Sequence, residues 1–145
     1  MSAALDKGKW AEKQARDWME ARSAKVAAFV YHRYPDAKAA RGALAAQPAD
    51  YLVSANKVIY HLETKETKQI NRLPKGKIKQ FGQLLKWWIG GITPYVVIYR
   101  SETQDWAYLG PNQLFSLAEC PPSFDLTQRP KFDTCNDVLT HLFAS

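Results

Sequence analysis

Apolar residues recur at helical spacing in three parts of the chain, and each part predicts a helix. The first helix is predicted over residues 9–29, where one broad apolar arc contains Trp10, Ala11, Ala15, Trp18, Met19 and Ala21. The second is predicted over residues 77–89, with an apolar face formed by Ile78, Phe81, Leu84, Leu85 and Trp88. Gly90-Gly91 ends this second helix. A third helix is predicted over residues 134–143.

Four apolar runs that are rich in β-branched and aromatic residues predict strands. Residues 50–53 and 57–65 flank a turn at 54–56 and predict a hairpin, and residues 95–100 and 106–109 predict two further strands. The Ala-rich segment 31–48 predicts a short helix or an irregular arm, and residues 67–76 predict a polar loop. The order α, β, β, α, β, β, α predicts an α/β (α+β) fold with a mixed central β-sheet flanked by helices.

Length and composition favour a single domain over residues 1–145. Of the 145 residues, 46% are apolar and 12% are aromatic, which excludes a disordered or low-complexity protein. The N-terminus is charged where a signal peptide needs an apolar stretch, and the longest apolar run, 84–92, is broken by Lys86. Cys120 and Cys135 form no CxxC motif and are predicted to be inert packing residues. We therefore expect a cytoplasmic protein with no membrane partner and no structural zinc.

The excess of positive charge is concentrated in one segment. The chain carries 20 Lys and Arg residues against 14 Asp and Glu residues, a formal charge of +6. Residues 65–86 contain seven bases and one acid, a difference that equals the whole excess. Such a run is either a solvated helix face or a surface that binds phosphates, and charge alone does not decide between them.

The predicted hairpin brings acidic side chains together. If Ser54 pairs with Lys57, Asp50 lies opposite His61 and diagonal to Glu63, and the alternation of side chains places all three on one face of the sheet. Two carboxylates at this distance repel each other unless one is protonated or a cation lies between them. The hairpin therefore predicts either a shared proton or a bound cation at this point.

The ligand chemistry favours Mg²⁺, for which Mn²⁺ is expected to substitute, because both ions prefer hard oxygen ligands. The predicted metal ligands are Asp50, Glu63 and the backbone carbonyl of Thr64. Lys65 lies on the same face as Glu63, where its charge would lower the pKa of an attacking water or neutralise charge in the transition state. This Asp…Glu-x-Lys arrangement is typical of metal-dependent phosphodiester hydrolysis.

The acid-x-Lys pattern is common by itself, and it occurs three times here, beginning at Asp36, Glu63 and Glu66. Only the second instance ends a predicted buried strand that has an Asp on its partner strand. The alternative is a pair of charged strand ends at the edge of a sheet. The basic run that begins at Lys65 favours the catalytic interpretation.

A series of motifs extends over residues 34–100. It comprises Pro48-Ala-Asp50-Tyr, the step of thirteen residues to Glu63, Glu63-Thr-Lys-Glu-Thr-Lys68, Leu73-Pro74, Gln80, Gly90-Gly91 and Tyr95-Val-Val-Ile-Tyr-Arg100. Together these motifs resemble the core of the RecU-type Holliday junction resolvases, which belong to the PD-(D/E)xK nuclease superfamily.

The resemblance implies a restriction-endonuclease-like core in which Asp50, Glu63 and Lys65 are catalytic. It also implies a further catalytic acid on the first helix, for which Glu12 is the candidate. A solvated helix acid is the alternative interpretation of Glu12. RecU-like proteins carry a projecting stalk before the catalytic Asp, and the shorter segment 34–48 occupies that place as a DNA-contacting arm. Short, compact versions of these enzymes occur in bacteriophages, and this chain resembles them in its short length.

We therefore expect a Mg²⁺-dependent endonuclease that cleaves branched DNA as a Holliday junction resolvase. A homodimer is expected because resolution needs paired cuts, and no nucleotide cofactor is expected. The residues predicted to contact DNA are Arg33, Lys38, Arg41, Lys68, Arg72, Lys75, Lys77, Lys79 and Gln80. The alternatives are another structure-specific or nicking nuclease of this superfamily, and a non-catalytic DNA-binding module.

Three further residues have more than one interpretation. His61 shares the face of the predicted site, but we expect an ordinary strand histidine with one hydrogen bond rather than a general base. Trp88 lies on the apolar stripe of the second helix and is expected to pack in the core. Trp87 lies off that stripe, where it is either a packing residue or a platform for base stacking.

Overall fold

The computed structural model describes residues 3–35, 47–115 and 123–144. Within these residues the helices are Ala3–Lys25 (α1), Phe81–Ile89 (α2), Pro111–Leu114 (α3) and Cys135–Phe143 (α4). The strands are Val30–Arg33 (β1), Tyr51–Ala55 (β2), Val58–Thr67 (β3), Arg72–Pro74 (β4), Thr93–Arg100 (β5), Asp105–Leu109 (β6) and Ser123–Asp125 (β7). Most of the predicted arm, together with Lys38, Arg41 and Cys120, lies outside the described residues.

A five-stranded mixed sheet forms the centre of the fold, with the strand order β1-β2-β3-β5-β6. Strands β3 and β5 are parallel, and the other neighbours are antiparallel. The parallel connection passes through α2, as a crossover between parallel strands requires. Strands β4 and β7 form a separate two-stranded antiparallel sheet.

Helices cover both faces of the central sheet. On one face, α1 and α4 contribute Met19 and Leu139 to a core that also contains Leu62 and Val97. On the other face, the core formed by α2, α3 and the sheet contains Leu84, Leu114, Val96, Ile98 and Leu109. Adjacent residues of β5 therefore point to opposite cores, as the alternation of a strand buried on both faces requires.

The helices begin and end at somewhat different residues from those predicted. Helix α1 begins at Ala3 and ends at Lys25, so the predicted extension to residue 29 is wrong. Helix α2 begins at Phe81 because Lys75–Lys77 forms a separate 3₁₀ turn, which shortens the helix predicted over 77–89. Helix α4 agrees closely with the prediction, and the Thr134 hydroxyl caps it by accepting a hydrogen bond of 3.0 Å from the amide of Asp137.

Three strands and one helix were not predicted from the sequence. Strand β1 pairs with β2 at the edge of the main sheet, inside the segment that was expected to begin an arm. Strand β4 lies within the predicted polar loop and pairs with β7. Helix α3 is a single turn that follows β6.

The register of the β2–β3 hairpin differs from the prediction by two residues. Ala55 pairs with Val58, so the turn consists of Asn56 and Lys57 rather than residues 54–56. Both turn residues have positive φ angles, 53° and 68°, as a two-residue type I′ hairpin requires. Leu52 pairs with His61, so the predicted pairing of Asp50 with His61 is wrong. A shift of two residues keeps each side chain on its predicted face.

Within the part of the chain that the structure describes, no helix is both long and apolar enough to cross a membrane. Cys135 is buried at the start of α4 and forms no disulfide bond.

Candidate active site

The hairpin register places Asp50 directly opposite Glu63. Tyr51 pairs with Leu62, so the next position outward on each strand is one of these two carboxyl residues. The amide of Thr64 donates a hydrogen bond of 2.9 Å to Asp50 Oδ2, and the amide of Tyr34 donates one of 2.9 Å to the main-chain oxygen of Asp50. Asp50 follows a bend and lies just before β2, and these two bonds fix both its side chain and its main chain.

Glu63 is almost completely enclosed. Its exposure is only 1%, and within the described residues Oε2 is buried without a hydrogen-bond partner. The other oxygen, Oε1, lies 3.4 Å from Nζ of Lys65, whose side chain is 21% exposed. Lys65 therefore connects the buried carboxyl with solvent.

Burial and mutual repulsion both act against ionisation of the two carboxyl groups. Burial raises the pKa of Glu63 well above its usual value, and the adjacent Asp50 raises it further, whereas Lys65 lowers it. Burial also raises the pKa of Asp50, although the amide of Thr64 and the charge of Lys65 act in the opposite direction. This pair is therefore stabilised by a shared proton or by a cation.

The donor set fits a hard divalent cation. Glu63 Oε2 is buried and has no hydrogen-bond partner in the described part of the chain, and Asp50 supplies a second carboxylate beside Glu63. The amide and the carbonyl of one strand residue lie on the same edge of the strand. Because the Thr64 amide points to Asp50, the Thr64 carbonyl lies on that edge as well. Two carboxylates and a carbonyl leave room for water and phosphate, as Mg²⁺ and Mn²⁺ usually require.

No group of three or more His, Cys, Asp or Glu side chains that could hold a metal ion occurs among residues 3–35, 47–115 and 123–144. Side chains alone therefore do not form a closed metal site here. A site at Asp50 and Glu63 would need the main chain and exogenous ligands to complete its coordination. Such an open site is typical of catalytic rather than structural metal ions.

A cleft of about 920 Å³ opens beside Asp50. It is lined by Lys9, Glu12, Lys13, Arg16, Arg33, Tyr34, Pro35, Gln47, Ala49, Asp50, Tyr51, Lys79 and Gln80. Five of these residues are basic and two are acidic, so the cleft is positively charged around a buried acidic site. This combination is suited to a polyanion whose reacting group approaches a cation.

Three basic residues of this cleft were missed in the sequence. Lys9, Lys13 and Arg16 lie on α1 at spacings of four and three residues, which places them along one face of the helix. The helix also carries acids, so its charge nearly cancels in the sequence. The spacing of the three bases was the available signal, but nothing in the sequence shows that this face borders the site.

Glu12 lies on the same helix and also lines the cleft. Burial raises the pKa of its carboxyl, and the charge of Asp50 raises it further, whereas Arg33 and Lys65 lower it. The structure thus brings Glu12 close enough to interact electrostatically with the predicted catalytic residues. Its catalytic role stays a prediction.

Two of the predicted DNA-contacting residues lie in the turn before α2. Lys79 and Gln80 both line the cleft, and Gln80 is the N-cap residue of α2 rather than a residue of its polar face. Gln80 Oε1 is buried without a hydrogen-bond partner among the described residues. Arg33, at the end of β1, also lines the cleft.

The other described bases of the basic run over residues 65–86 are not among the residues that line the cleft. Lys77 Nζ donates a hydrogen bond of 2.9 Å to the main-chain oxygen of Glu66, and Lys75 Nζ lies 4.3 Å from the centre of the Phe81 ring. Lys68 and Arg72 are exposed on the chain between β3 and the 3₁₀ turn. Their contact with DNA stays a prediction.

The aromatic residues near the site differ in their surroundings. His61 is buried between the rings of Tyr34 and Trp87, and burial lowers its pKa to about 4, so the imidazole is neutral near pH 7. Its Nε2 is 3.0 Å from the Tyr34 hydroxyl, the single ordinary hydrogen bond that was predicted. Trp88 stacks on Phe115 at the surface, with 37% exposure, so its predicted place in the core is wrong.

Comparison with known proteins gives a similarity of fold. The structure is similar to that of Hjc from Archaeoglobus fulgidus, a Holliday junction resolvase from an archaeal hyperthermophile, with a TM-score of 0.50 and 16% sequence identity. The alignment covers 81% of this chain and 88% of the Hjc chain. No protein-family model and no curated protein sequence matches. The similarity confirms the predicted fold class, whereas the RecU-type assignment and the bacteriophage origin stay predictions.

Proposed function

We propose that this chain is a metal-dependent endonuclease that cleaves four-way DNA junctions. The observation that carries the proposal is the buried pair of Asp50 and Glu63, with Lys65 beside it, at the border of a basic cleft. Among the described residues, Glu63 Oε2 is buried without a hydrogen-bond partner. The same three residue types in the same arrangement are expected for hydrolysis of a phosphodiester.

The proposed metal is Mg²⁺, with Mn²⁺ as a substitute, held by Asp50, Glu63 and the Thr64 carbonyl. When bound, the ion would supply Lewis-acid activation of the phosphate and a lower pKa for a nearby water. The Thr64 amide fixes the orientation of the Asp50 carboxylate through its hydrogen bond of 2.9 Å.

Lys65 and Glu12 have different proposed roles. The Lys65 ammonium group lies 3.4 Å from Glu63 Oε1 and reaches solvent, so it can orient the attacking water and neutralise charge that develops on the phosphate. Glu12 is proposed to join the same centre from α1 by accepting a hydrogen bond from that water. In the reaction, the water oxygen bonds to phosphorus as one P–O ester bond breaks, the water loses a proton to a base, and the leaving ester oxygen takes up a proton from solvent and departs as a hydroxyl group.

The basic residues of the cleft are proposed to bind the DNA backbone. Arg16 on α1 and Arg33 on β1 line the same cleft as Asp50, where each can contact a phosphate. The fold similarity to Hjc supports a four-way junction as the substrate. Resolution of a junction needs two symmetric cuts, so a homodimer with two such sites is proposed.

The test is cleavage of labelled four-way junctions, both mobile and fixed, compared with a flap and a linear duplex in Mg²⁺. We expect the wild-type protein to cut junctions in preference to the duplex. Glu63→Gln should lower the cleavage rate by about a thousandfold or more, because it removes a charged oxygen from the proposed metal site.

Glu66→Gln is the matched control for that substitution. Glu66 lies on the same strand, three residues further on, and its carboxylate accepts a hydrogen bond of 3.2 Å from the Ser101 hydroxyl. We expect its cleavage rate to stay within a few fold of the wild-type rate. Absence of cleavage on every substrate would refute the nuclease proposal. Equal cleavage of junction and duplex would refute only the junction specificity.

A further inference from the structure

The Tyr34 side chain lies where the cleft meets the core. Its main-chain amide is bonded to the main-chain oxygen of Asp50, so its backbone is fixed relative to the carboxyl site. Tyr34 is half-buried and lines the cleft, and its hydroxyl lies 3.0 Å from Nε2 of His61. Tyr34 is thus in contact with both the space for a ligand and a buried polar residue.

The His61 imidazole has little freedom to move. It is fully buried, and its centroid lies 5.7 Å from that of Tyr34 and 5.5 Å from that of Trp87, which meets it edge-on. Its strand position is paired with Leu52 on one side and Pro94 on the other. An imidazole held in this way provides a fixed partner for the hydroxyl of Tyr34.

The position of the imidazole proton on His61 decides whether the Tyr34 O–H can donate a hydrogen bond into the cleft. A neutral imidazole has one N–H and one acceptor nitrogen, and within the described residues His61 Nδ1 is buried without a partner. With the proton on Nε2, His61 donates to the phenolic oxygen, and the phenolic O–H is free to donate into the cleft. With the proton on Nδ1, a buried N–H has no acceptor, and the phenolic O–H is used by His61. A hydrogen-bond acceptor in the cleft therefore favours the first arrangement.

We propose that Tyr34 is a substrate-binding residue whose hydroxyl donates a hydrogen bond to a phosphate oxygen of DNA in the cleft, with His61 as its positioning residue. The inference rests on the proposed function for the identity of the ligand. A phosphate oxygen is the expected acceptor because five bases line the same cleft and would hold the DNA backbone there. His61 acts only through Tyr34.

The test is the affinity of a fluorescein-labelled four-way junction, measured by anisotropy in EDTA so that no cleavage occurs. Tyr34→Phe should raise Kd about tenfold, because it removes one hydrogen bond to a charged group and keeps the ring. Tyr31→Phe is the matched control, since Tyr31 lies on β1, three residues before Tyr34, but is not among the cleft residues. The Kd of this variant should stay within twofold of the wild-type value.

Salt dependence separates this neutral contact from an ionic one. For Tyr34→Phe, the slope of log Kd against log salt should equal that of the wild type. For Arg33→Gln the slope should fall by about one, because one phosphate contact is lost. An unchanged Kd for Tyr34→Phe would overturn the proposal, and so would an equal loss of affinity in Tyr31→Phe.

The positioning role of His61 is tested by whether the effect of its substitution on affinity depends on Tyr34. His61→Leu should weaken binding about as much as Tyr34→Phe and should add no further loss in the double variant. His61→Gln, which keeps a donor, should restore part of the affinity. Additive losses would show that His61 does not act through Tyr34. If the His61 variants fail to fold, the comparison of Tyr34→Phe with Tyr31→Phe decides the role of Tyr34.

The nuclease proposal and the proposal for Tyr34 are refuted by different results. A wild-type protein that binds the junction more tightly than Tyr34→Phe but cuts nothing would refute the nuclease proposal and support the role of Tyr34. A wild-type protein that cuts the junction but binds it no better than Tyr34→Phe would support the nuclease proposal and refute the role of Tyr34. A wild-type protein that does not bind DNA would refute both.

Discussion

Two buried charged clusters lie at neighbouring places in the central sheet, and they differ in how completely their polar atoms are paired. At the end of β5, Arg100 donates two hydrogen bonds of 2.7 Å to the carboxylate of Asp105 and a third to the main-chain oxygen of Ile70. Thr103 donates a further bond of 2.8 Å to Asp105. At the open end of the hairpin, Asp50 accepts a hydrogen bond from the Thr64 amide and Glu63 Oε1 lies 3.4 Å from Nζ of Lys65, but Glu63 Oε2 has no partner among the described residues.

The difference separates a cluster that serves the fold from one that, under the proposed function, serves a ligand. The Arg100 cluster joins opposite charges and satisfies nearly every polar atom, so it stabilises the turn between β5 and β6. The Asp50–Glu63 pair buries two carboxyl groups side by side, and Glu63 Oε2 has no partner among the described residues, so the pair opposes folding in the metal-free protein. Sites that bind or react often retain such unfavourable groups.

The largest effect is expected when the satisfied cluster is broken. Asp105→Ala should lower the free energy of unfolding by about 3 kcal/mol, because Arg100 would stay buried without its counter-charge. Urea denaturation at neutral pH measures this difference. Asp17→Ala removes the exposed pair with Lys13 and should cost no more than about 0.5 kcal/mol. Equal effects of the two substitutions would show that the Arg100 cluster does not stabilise the fold.

The Arg100 cluster should also make stability depend on acid pH. Burial raises the pKa of Asp105, but the hydrogen bonds from Arg100 and Thr103 outweigh it, so the pKa lies below the ordinary value of 3.8. The stabilisation is then present above pH 3.8 and is lost as the pH falls through the lowered pKa. The wild type and Asp105→Ala differ in their free energy of unfolding, and this difference should shrink at acid pH. The reduction should be about 1.4 kcal/mol for each unit by which the pKa of Asp105 is lowered. Urea denaturation at a series of acid pH values measures it, and a constant difference would contradict the assignment.

The smallest effect is expected at the unsatisfied pair and has the opposite sign. In EDTA, Glu63→Gln should raise the free energy of unfolding by about 1 kcal/mol, because it removes a buried like charge. In Mg²⁺ the order should reverse, since only the wild type gains stability from binding the ion. Thermal unfolding under both conditions measures the change. A Glu63→Gln protein that is less stable in EDTA would show that the pair is satisfied without metal.

The fold class was predictable because apolar periodicity is strong in α2, α4, β3 and β5. Strands β4 and β7 were not predictable, since each has three residues and they pair across about fifty residues of chain. The hairpin register was missed because the turn uses Lys57 at positive φ, a conformation that lysine rarely adopts. The faces were nonetheless predicted correctly, since an error of two residues preserves the alternation.

Glu63 and Lys65 could be placed together from the sequence because they lie on one strand, and Asp50 because it lies on the adjacent strand. The α1 wall of the cleft could not be placed, because the packing of a helix across a sheet depends on long-range contacts. Tyr34 gave no signal, since its importance comes from a main-chain bond to Asp50 and a contact with His61. These contacts join parts of the chain that are 16 and 27 residues apart.

The hydrogen bond between the Tyr34 amide and the Asp50 carbonyl has a consequence for how such a protein can change over evolutionary time. Together with the pairing of Arg33 with Tyr51, it fixes both ends of the fifteen-residue segment 35–49 at the border of the cleft. Doubling the length of a segment with fixed ends costs only about 0.6 kcal/mol of closure entropy. Changes in the length of the chain between these two fixed ends therefore need not disturb the register of Asp50 with Glu63.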